Sequence, residues 1–439
     1  VKKKNWMISV LGAVLLTGLP VGAQKPAGTE NSMDAIAESY VKLVLAVGQH
    51  DPDYVDAYYG PAEWQAEAKA VKQPLDELKT ATAELITRLR KIPAPRPEEA
   101  SGLRYQYVSK QLESVLARIE LLAGRKMRFD QEAKSLYDAD PPVFPESHFR
   151  QILDELEKLL PGPGTIAQKY QEFKNRFVIP GDRLDAVFTA AIREARRRTL
   201  EHIQLPADET FRVEYVKNKS WSGYNWYQGN YHSLIQVNTD LPIFVDYAVD
   251  LACHEGYPGH HVYNILLEKN LLRENRWIEF SVYPLFSPQS LIAEGTANFG
   301  IEVAFPGEER VAFERDVIFS AAGLDGSLAQ KYYAIAELVA KLNFAGNEAA
   351  RHYLDGDTSA EEAIRWLEAY ALMSPERARQ RLRFIEQYRS YVINYNYGLD
   401  LVRNYITARG GTSDQPVRRW QEFEALISSP RLPSSLRQP

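Results

Sequence analysis

Residues 254–261 read His254-Glu255-Gly256-Tyr257-Pro258-Gly259-His260-His261, and the reading of this stretch decides the fold class. A metal-dependent hydrolase needs three protein ligands and an open position for water. It also needs a carboxylate beside that water to take its proton. The usual helical solution is His-Glu-x-x-His, with two ligands one turn apart on one face. Here the position one turn on is Pro258, and the histidines fall six and seven residues after His254. On an unbroken helix that spacing covers roughly 9–10 Å of rise, too far for two ligands of one ion. Pro258 removes a backbone donor and Gly259 tolerates unusual dihedrals. A metal site therefore requires a bulge or break at Pro258-Gly259 that folds a later histidine back towards His254. The competing reading is a polar helix end with solvated histidines. Against it stands the apolar run 244–252, which predicts a buried helix leading into the motif, where unpaired histidines would be costly. His260 is the preferred second ligand because it directly follows Gly259. His261 would then face the substrate or pack behind the site.

A third ligand is expected from another helix. Residues 291–302 form a segment rich in small residues, with Glu294 set among Ile292, Ala293, Gly295 and Ala297. Small neighbours let two helices approach closely and leave the carboxylate pointing into the contact. Asn298 lies one turn later on the same face and could hydrogen-bond a ligand histidine. The expected set is thus zinc on His254, His260 and Glu294, with Glu255 as general base. Cys253, the single cysteine, excludes a disulfide within the chain and reads as a small apolar residue on a buried helix face.

The pattern His-Glu-x-x-Pro-Gly-His-His, followed by Glu-Gly-x-Ala at Glu294–Ala297, resembles a bacterial zincin-like family catalogued as domain of unknown function 885. That family is similar to the helical zinc peptidases of the gluzincin group. The resemblance implies metal ligands at His254, at His260 or His261, and at Glu294, with Glu255 as base. It runs weakly over residues 100–410 and is sharp only at the motifs. Departures are clear. Tyr263 stands where the family often has Gln, and Thr296 and Phe299 replace the Trp and Tyr of Glu-Gly-Trp-Ala-x-Tyr. Arg383-Phe384 stands for an Arg-Tyr, and the later Pro-Gly-Gln is missing. The metal site looks intact while the substrate pocket has diverged. Tyr395, matching the family's C-terminal tyrosine, is the first candidate for stabilising an oxyanion. Tyr397 and the non-ligand histidine follow. By the same resemblance, the strand before the motif would line the cleft and pair with an extended peptide.

Outward from the motif, apolar residues at three- and four-residue spacing predict helices over 33–43, 75–92, 103–122, 149–160 and 184–203, with prolines between them. Alternation predicts strands at 211–216 and 233–238, and the aromatic, Gly- and Asn-rich stretch 221–231 reads as a turn region. The expected architecture is mainly α: a helical zincin-like body around a cleft, with one small sheet before the metal-binding helix. Its parts would be a signal peptide (1–23), a helical N-terminal region (24–205) and a catalytic region (206–439).

Lys2–Lys4, the apolar run 7–19 and Val21-Gly22-Ala23 have the order of a secretory signal cut after Ala23. A secreted or periplasmic protein with no stable membrane association is expected. With a net charge of −6 and no long basic run, the chain has no footprint for nucleic acid. The expected function is zinc-dependent hydrolysis of a peptide. The alternatives are a non-peptide amide or ester substrate, or a non-catalytic binding protein on the same fold.

Overall fold

The computed structural model describes residues 32–437. The expected signal segment lies outside them. Ser32 caps the first helix, Met33–Val47, its hydroxyl accepting from the Ala35 amide. Helices Leu75–Leu89, Ala100–Leu122, Glu146–Leu159 and Leu184–Leu200 follow the apolar periodicity. The proline clusters at 93–97, 141–145 and 161–163 fall between them, as expected of residues that cannot donate to a helix. Over the described residues the chain is mainly helical. Among the described residues no helix is long and apolar enough to cross a membrane.

Among the described residues five strands interrupt the helices: β1 (Val55–Tyr58), β2 (Thr210–Val216), β3 (Gly223–Gly229), β4 (His232–Asn238) and β5 (Val282–Pro284). Strands β2, β4 and β3 form a sheet in that order, β4 running parallel to β2 and antiparallel to β3. Two expectations need correction here. The stretch 221–231 is not simply a turn region, because β3 occupies most of it. Its alternation was hidden by composition: Asn225, Tyr227 and Gly229 face inward while Trp226 and Gln228 face solvent. Only Asn230 and Tyr231, both at positive φ, make the turn of the hairpin. There is also a second small sheet, in which β1 pairs antiparallel with β5.

One continuous apolar core reaches from Ile36 to Leu436 and draws on both sides of residue 205. The Ala100–Leu122 helix grips the segment beyond the motif. Tyr107 stacks on Phe280 at 4.6 Å and donates to Gln289 at 2.6 Å, and Ser114 donates to the Phe286 carbonyl at 2.9 Å. Arg104 binds buried Glu279 through two hydrogen bonds, at 2.6 and 2.9 Å. A guanidinium that forks onto a buried carboxylate fixes orientation as well as neutralising it.

Candidate metal centre

The apolar run leads into a helix, Asp246–Leu251, which widens into a π-turn over Ala252–Gly256. The chain then breaks at Tyr257–Gly259, and a new helix starts at His260. The Tyr257 amide reaches back to the Ala252 carbonyl at 2.9 Å and the Gly259 amide to that of Cys253 at 2.8 Å. A Cβ on residue 259 would lie 2.0 Å from the His254 carbonyl oxygen, so only glycine fits where the chain folds back on itself. The break expected at Pro258-Gly259 is present, and it has the expected consequence. His254 Nε2 and His260 Nε2 stand 3.1 Å apart.

Glu294 enters from the Pro288–Ala304 helix. Its Oε2 lies 3.2 Å from His254 Nε2 and 3.7 Å from His260 Nε2. This helix packs on another, Ile393–Ala408, through two glycines. A Cβ on Gly295 would meet the Gly398 carbonyl group at 2.5 Å, and one on Gly398 would meet the Leu291 carbonyl oxygen at 2.8 Å. Backbone contact of this kind brings the Asn298 amide within 2.9 Å of the Tyr395 carbonyl, to which it donates. Its oxygen is thereby turned to His254 Nδ1, at 3.1 Å. An amide oxygen can only accept, so His254 Nδ1 carries the proton and its Nε2 presents a lone pair to the centre. Tyr391 donates to the other oxygen of Glu294 at 2.7 Å. Glu255 is buried, and a carboxylate oxygen of it lies within 4.8 Å of ligating atoms of both His254 and His260. Asn225 of β3 holds the Glu255 carbonyl at 2.6 Å.

Three donor atoms thus converge, two imidazole nitrogens and one carboxylate oxygen, each within 3.7 Å of the others. Such a set calls for a positive charge at its middle. The electrostatics agree. Burial works against an imidazolium at His254, yet the neighbouring Glu294 and Glu255 carboxylates push it up to about 9. Glu294, despite its burial, is held far below the usual carboxylate range by the two histidines. Two imidazoles and one carboxylate at the wall of a cavity are a donor set that fits a divalent metal ion.

His261 is on the far side of this turn. It is fully buried, with Nδ1 2.8 Å from Ser233 of β4 and Nε2 3.0 Å from Glu209. Glu209 also accepts from Tyr257 at 2.6 Å and from Arg196 at 2.7 Å. Of the two placements left open for His261, packing behind the turn is the one observed. Cys253 is buried, and burial pushes its thiol well up, away from a reactive thiolate.

A cavity of about 520 Å³ opens over His254, Glu255, His260 and Glu294. Tyr395 lines it, its ring stacked near that of His254 at 6.4 Å. Tyr397 does not line it, since its charged neighbours are Arg437, Asp140 and Asp138. Strand β4 is also not where the resemblance would have it. It is the central strand, paired on both sides, and offers no edge to a peptide. The edge beside the cavity is β3, whose Gly223, Tyr224 and Asn225 line it. Residue 223 must stay small there, as a Cβ would come within 3.0 Å of Glu255 Oε1. Asp56 of β1 also lines the cavity and bonds the Tyr224 hydroxyl. Burial lifts its carboxyl to about 6, against the pull of Tyr224 and His260. Asp56 and Tyr391 carried no signal in the sequence, because each reaches the centre only through long-range packing.

Beneath the motif helix, Arg310 pairs with both Asp250 at 2.6 Å and Glu314 at 2.7 Å. One guanidinium is thus shared between half-buried Asp250 and fully buried Glu314. Burial therefore drives Glu314 up to about 8, and the Arg310 charge offsets this only in part. A carboxyl whose folded pKa exceeds its unfolded value of 4.5 stabilises the fold fully below 4.5. That contribution is lost as pH rises through about 8. Thermal unfolding followed across this window should show stability falling, by up to ~1.4 kcal/mol per pH unit. Glu314→Gln should flatten the fall. An unchanged slope would mean that another group takes the proton.

No protein-family model matches the chain, and no curated protein matches it. Solved structures do. A candidate lipoprotein from Colwellia psychrerythraea matches with a TM-score of 0.50 at 16% identity, over 83% of this chain. This chain spans 62% of that protein's length. At such identity the likeness shows the fold alone. A candidate lipoprotein of unknown function from Shewanella oneidensis matches over 94% of this chain and 83% of its own, with a TM-score of 0.45 at 13% identity. An M32 carboxypeptidase from Deinococcus radiodurans R1 matches over 90% and 89%, with a TM-score of 0.38 at 14% identity.

Proposed function

We propose that this protein is a zinc-dependent hydrolase of amide bonds, acting on peptides. The observation that carries this reading is the convergence of His254 Nε2, His260 Nε2 and Glu294 Oε2 within 3.7 Å of one another, with Glu255 beside them in one cavity. His254, His260 and Glu294 would hold the ion. When bound, zinc supplies a polarised carbonyl and a water acidic enough to lose its proton near neutral pH. The chain's own residues do the rest. Asn298 and Tyr391 fix the ligand orientations from outside. Glu255 takes the proton of the attacking water and delivers it to the leaving nitrogen. Tyr395, which lines the cavity beside His254, would donate to oxygen as negative charge develops there. An extended substrate would lie along the edge of β3, with backbone pairing that β4 cannot give. The lead segment, with its three lysines, apolar run and small residues, supports an exported enzyme.

Metal content is the decisive measurement. Purified protein should hold about one zinc per chain, and a chelator should abolish peptide cleavage that added zinc restores. Glu294→Ala should lower zinc content. Cleavage that survives full metal removal would overturn the reading.

A further inference from the structure

The cavity wall has a basic part besides the acidic cluster of the metal centre. It is formed by Arg381 and Arg377 of the Pro375–Tyr388 helix, with Met373, Phe384, Tyr395 and Gly346. The two arginines sit one turn apart on that helix. Arg377 has one long hydrogen bond, 3.5 Å to the Pro242 carbonyl, and feels Asp246 only through space. Arg381 has no hydrogen-bond or ion-pair partner among the described residues, and its Nε is buried without one. Its guanidinium instead lies against two rings, 5.0 Å from the centre of Phe384 and 6.0 Å from that of Tyr395. Gly346 lies beside it, where a Cβ would come into van der Waals contact at 3.9 Å from Arg381 Nη2, so glycine there leaves the guanidinium uncovered on that side.

Among the described residues, the other arginines with a buried nitrogen that lacks a hydrogen bond, Arg351 and Arg419, each have a carboxylate ion pair. Arg104, Arg310 and Arg351 are each buried or nearly so, and each meets a carboxylate. A half-buried guanidinium with a desolvated nitrogen and no counter-ion is incomplete as a structural element. Burial lowers its pKa, and no carboxylate acts to raise it. The planar fork matches a carboxylate best, through two parallel hydrogen bonds. Distance also fits. The Tyr395 ring neighbours both Arg381 and the His254 ring, 6.0 Å from one and 6.4 Å from the other. An extended chain crosses such a span in about three residues or fewer, at ~3.4 Å each.

Resting on the hydrolase reading, we infer that Arg381 receives a carboxylate of the substrate, so that the preferred substrates are short peptides carrying a free carboxylate within about three residues of the cleaved bond. Arg377 adds positive potential one turn away. The Phe384 and Tyr395 rings exclude water from the pair and raise its strength. Arg381 is a specificity-determining residue in this scheme and takes no part in the bond cleavage.

The test is a calorimetric titration of zinc-loaded Glu255→Gln protein, in which the probe is not consumed. Three probes are used: a short peptide with a free C-terminal carboxylate, the same peptide as its carboxamide, and an amidated peptide with a C-terminal glutamate side chain. The free acid should bind ~10- to 100-fold more tightly than the carboxamide, the scale of a charged hydrogen-bonded pair. Adding Arg381→Met should bring that ratio close to one, and Arg381→Lys, which keeps charge without the fork, should leave an intermediate ratio. Preference for the glutamate probe assigns the site to an acidic side chain. Preference for the free acid assigns it to the chain terminus. Both support carboxylate recognition. Binding of both the free acid and the glutamate probe no tighter than the carboxamide overturns the inference, as does a preference that Arg381→Met leaves unchanged or binding of none of the three. Binding is measured without turnover, so the two readings separate. A carboxylate preference in a protein whose native sequence cleaves nothing removes the hydrolase and keeps the subsite. Cleavage without that preference does the reverse.

Discussion

Glu255→Gln should keep its zinc and lose turnover by a factor of at least about a hundred and up to ~10⁴, the range general-base catalysis covers. The amide is nearly the same size as the carboxylate and keeps its hydrogen-bonding shape, but it cannot accept a proton. Glu255 is not needed to assemble the centre, since the two histidines, Glu294, Asn298 and Tyr391 already hold one another through the contacts at 2.7–3.7 Å. Asn225 grips the backbone carbonyl of residue 255, not its side chain, so the substitution leaves β3 in place. The measurement pairs metal analysis with a peptide-cleavage assay on the same preparation. Full activity with zinc in place would show that the proton goes elsewhere. Loss of both would make Glu255 a ligand.

The two neighbouring histidines should part company with equal clarity. His260→Ala removes a nitrogen that stands 3.1 Å from its counterpart on His254, and should empty the site. His261→Ala touches no candidate ligand. It leaves buried Glu209 with one partner fewer and Ser233 with none at that position, within a fully buried contact. Removing one partner of a buried polar group costs about 1–3 kcal/mol, more where the group left behind is charged. His261→Ala should therefore retain zinc and melt early, while His260→Ala lacks zinc. Zinc and melting temperature measured on both variants give a two-by-two outcome. The reverse pattern would exchange the roles, and zinc retained in both would remove the motif from the metal site.

Much of the architecture was legible because helices announce themselves locally. Apolar periodicity and proline breaks placed the first long helices within a few residues of their observed ends, at Leu75–Leu89 and Leu184–Leu200 for example. The candidate centre was legible for a different reason. Its spacing only makes chemical sense if the chain breaks at Pro258-Gly259, so physical impossibility on a straight helix pointed to the bend. What escaped was everything that depends on a partner far away in the chain. The alternation of β3 was masked by aromatic residues on both faces. The central position of β4 depends on the parallel pairing with β2, which nothing in the residues 233–238 encodes. Asp56 and Tyr391 look like ordinary residues until the core brings them to the cavity. Arg381 was equally anonymous, because an arginine without a partner is invisible until all candidate partners are seen elsewhere.

The glycine contact between residues 295 and 398 has a bearing on inheritance. Where two helices touch through main-chain atoms, no side chain remains that could be trimmed to take up an error in spacing. The seam works like a machined datum from which Glu294, Asn298, Tyr391 and Tyr395 are all measured. Residues distant in the chain thus form one transferable unit. A chimera that imports either helix must import the other, whereas the arginine-bearing helix across the cavity lies outside this seam and is free to vary what the protein accepts.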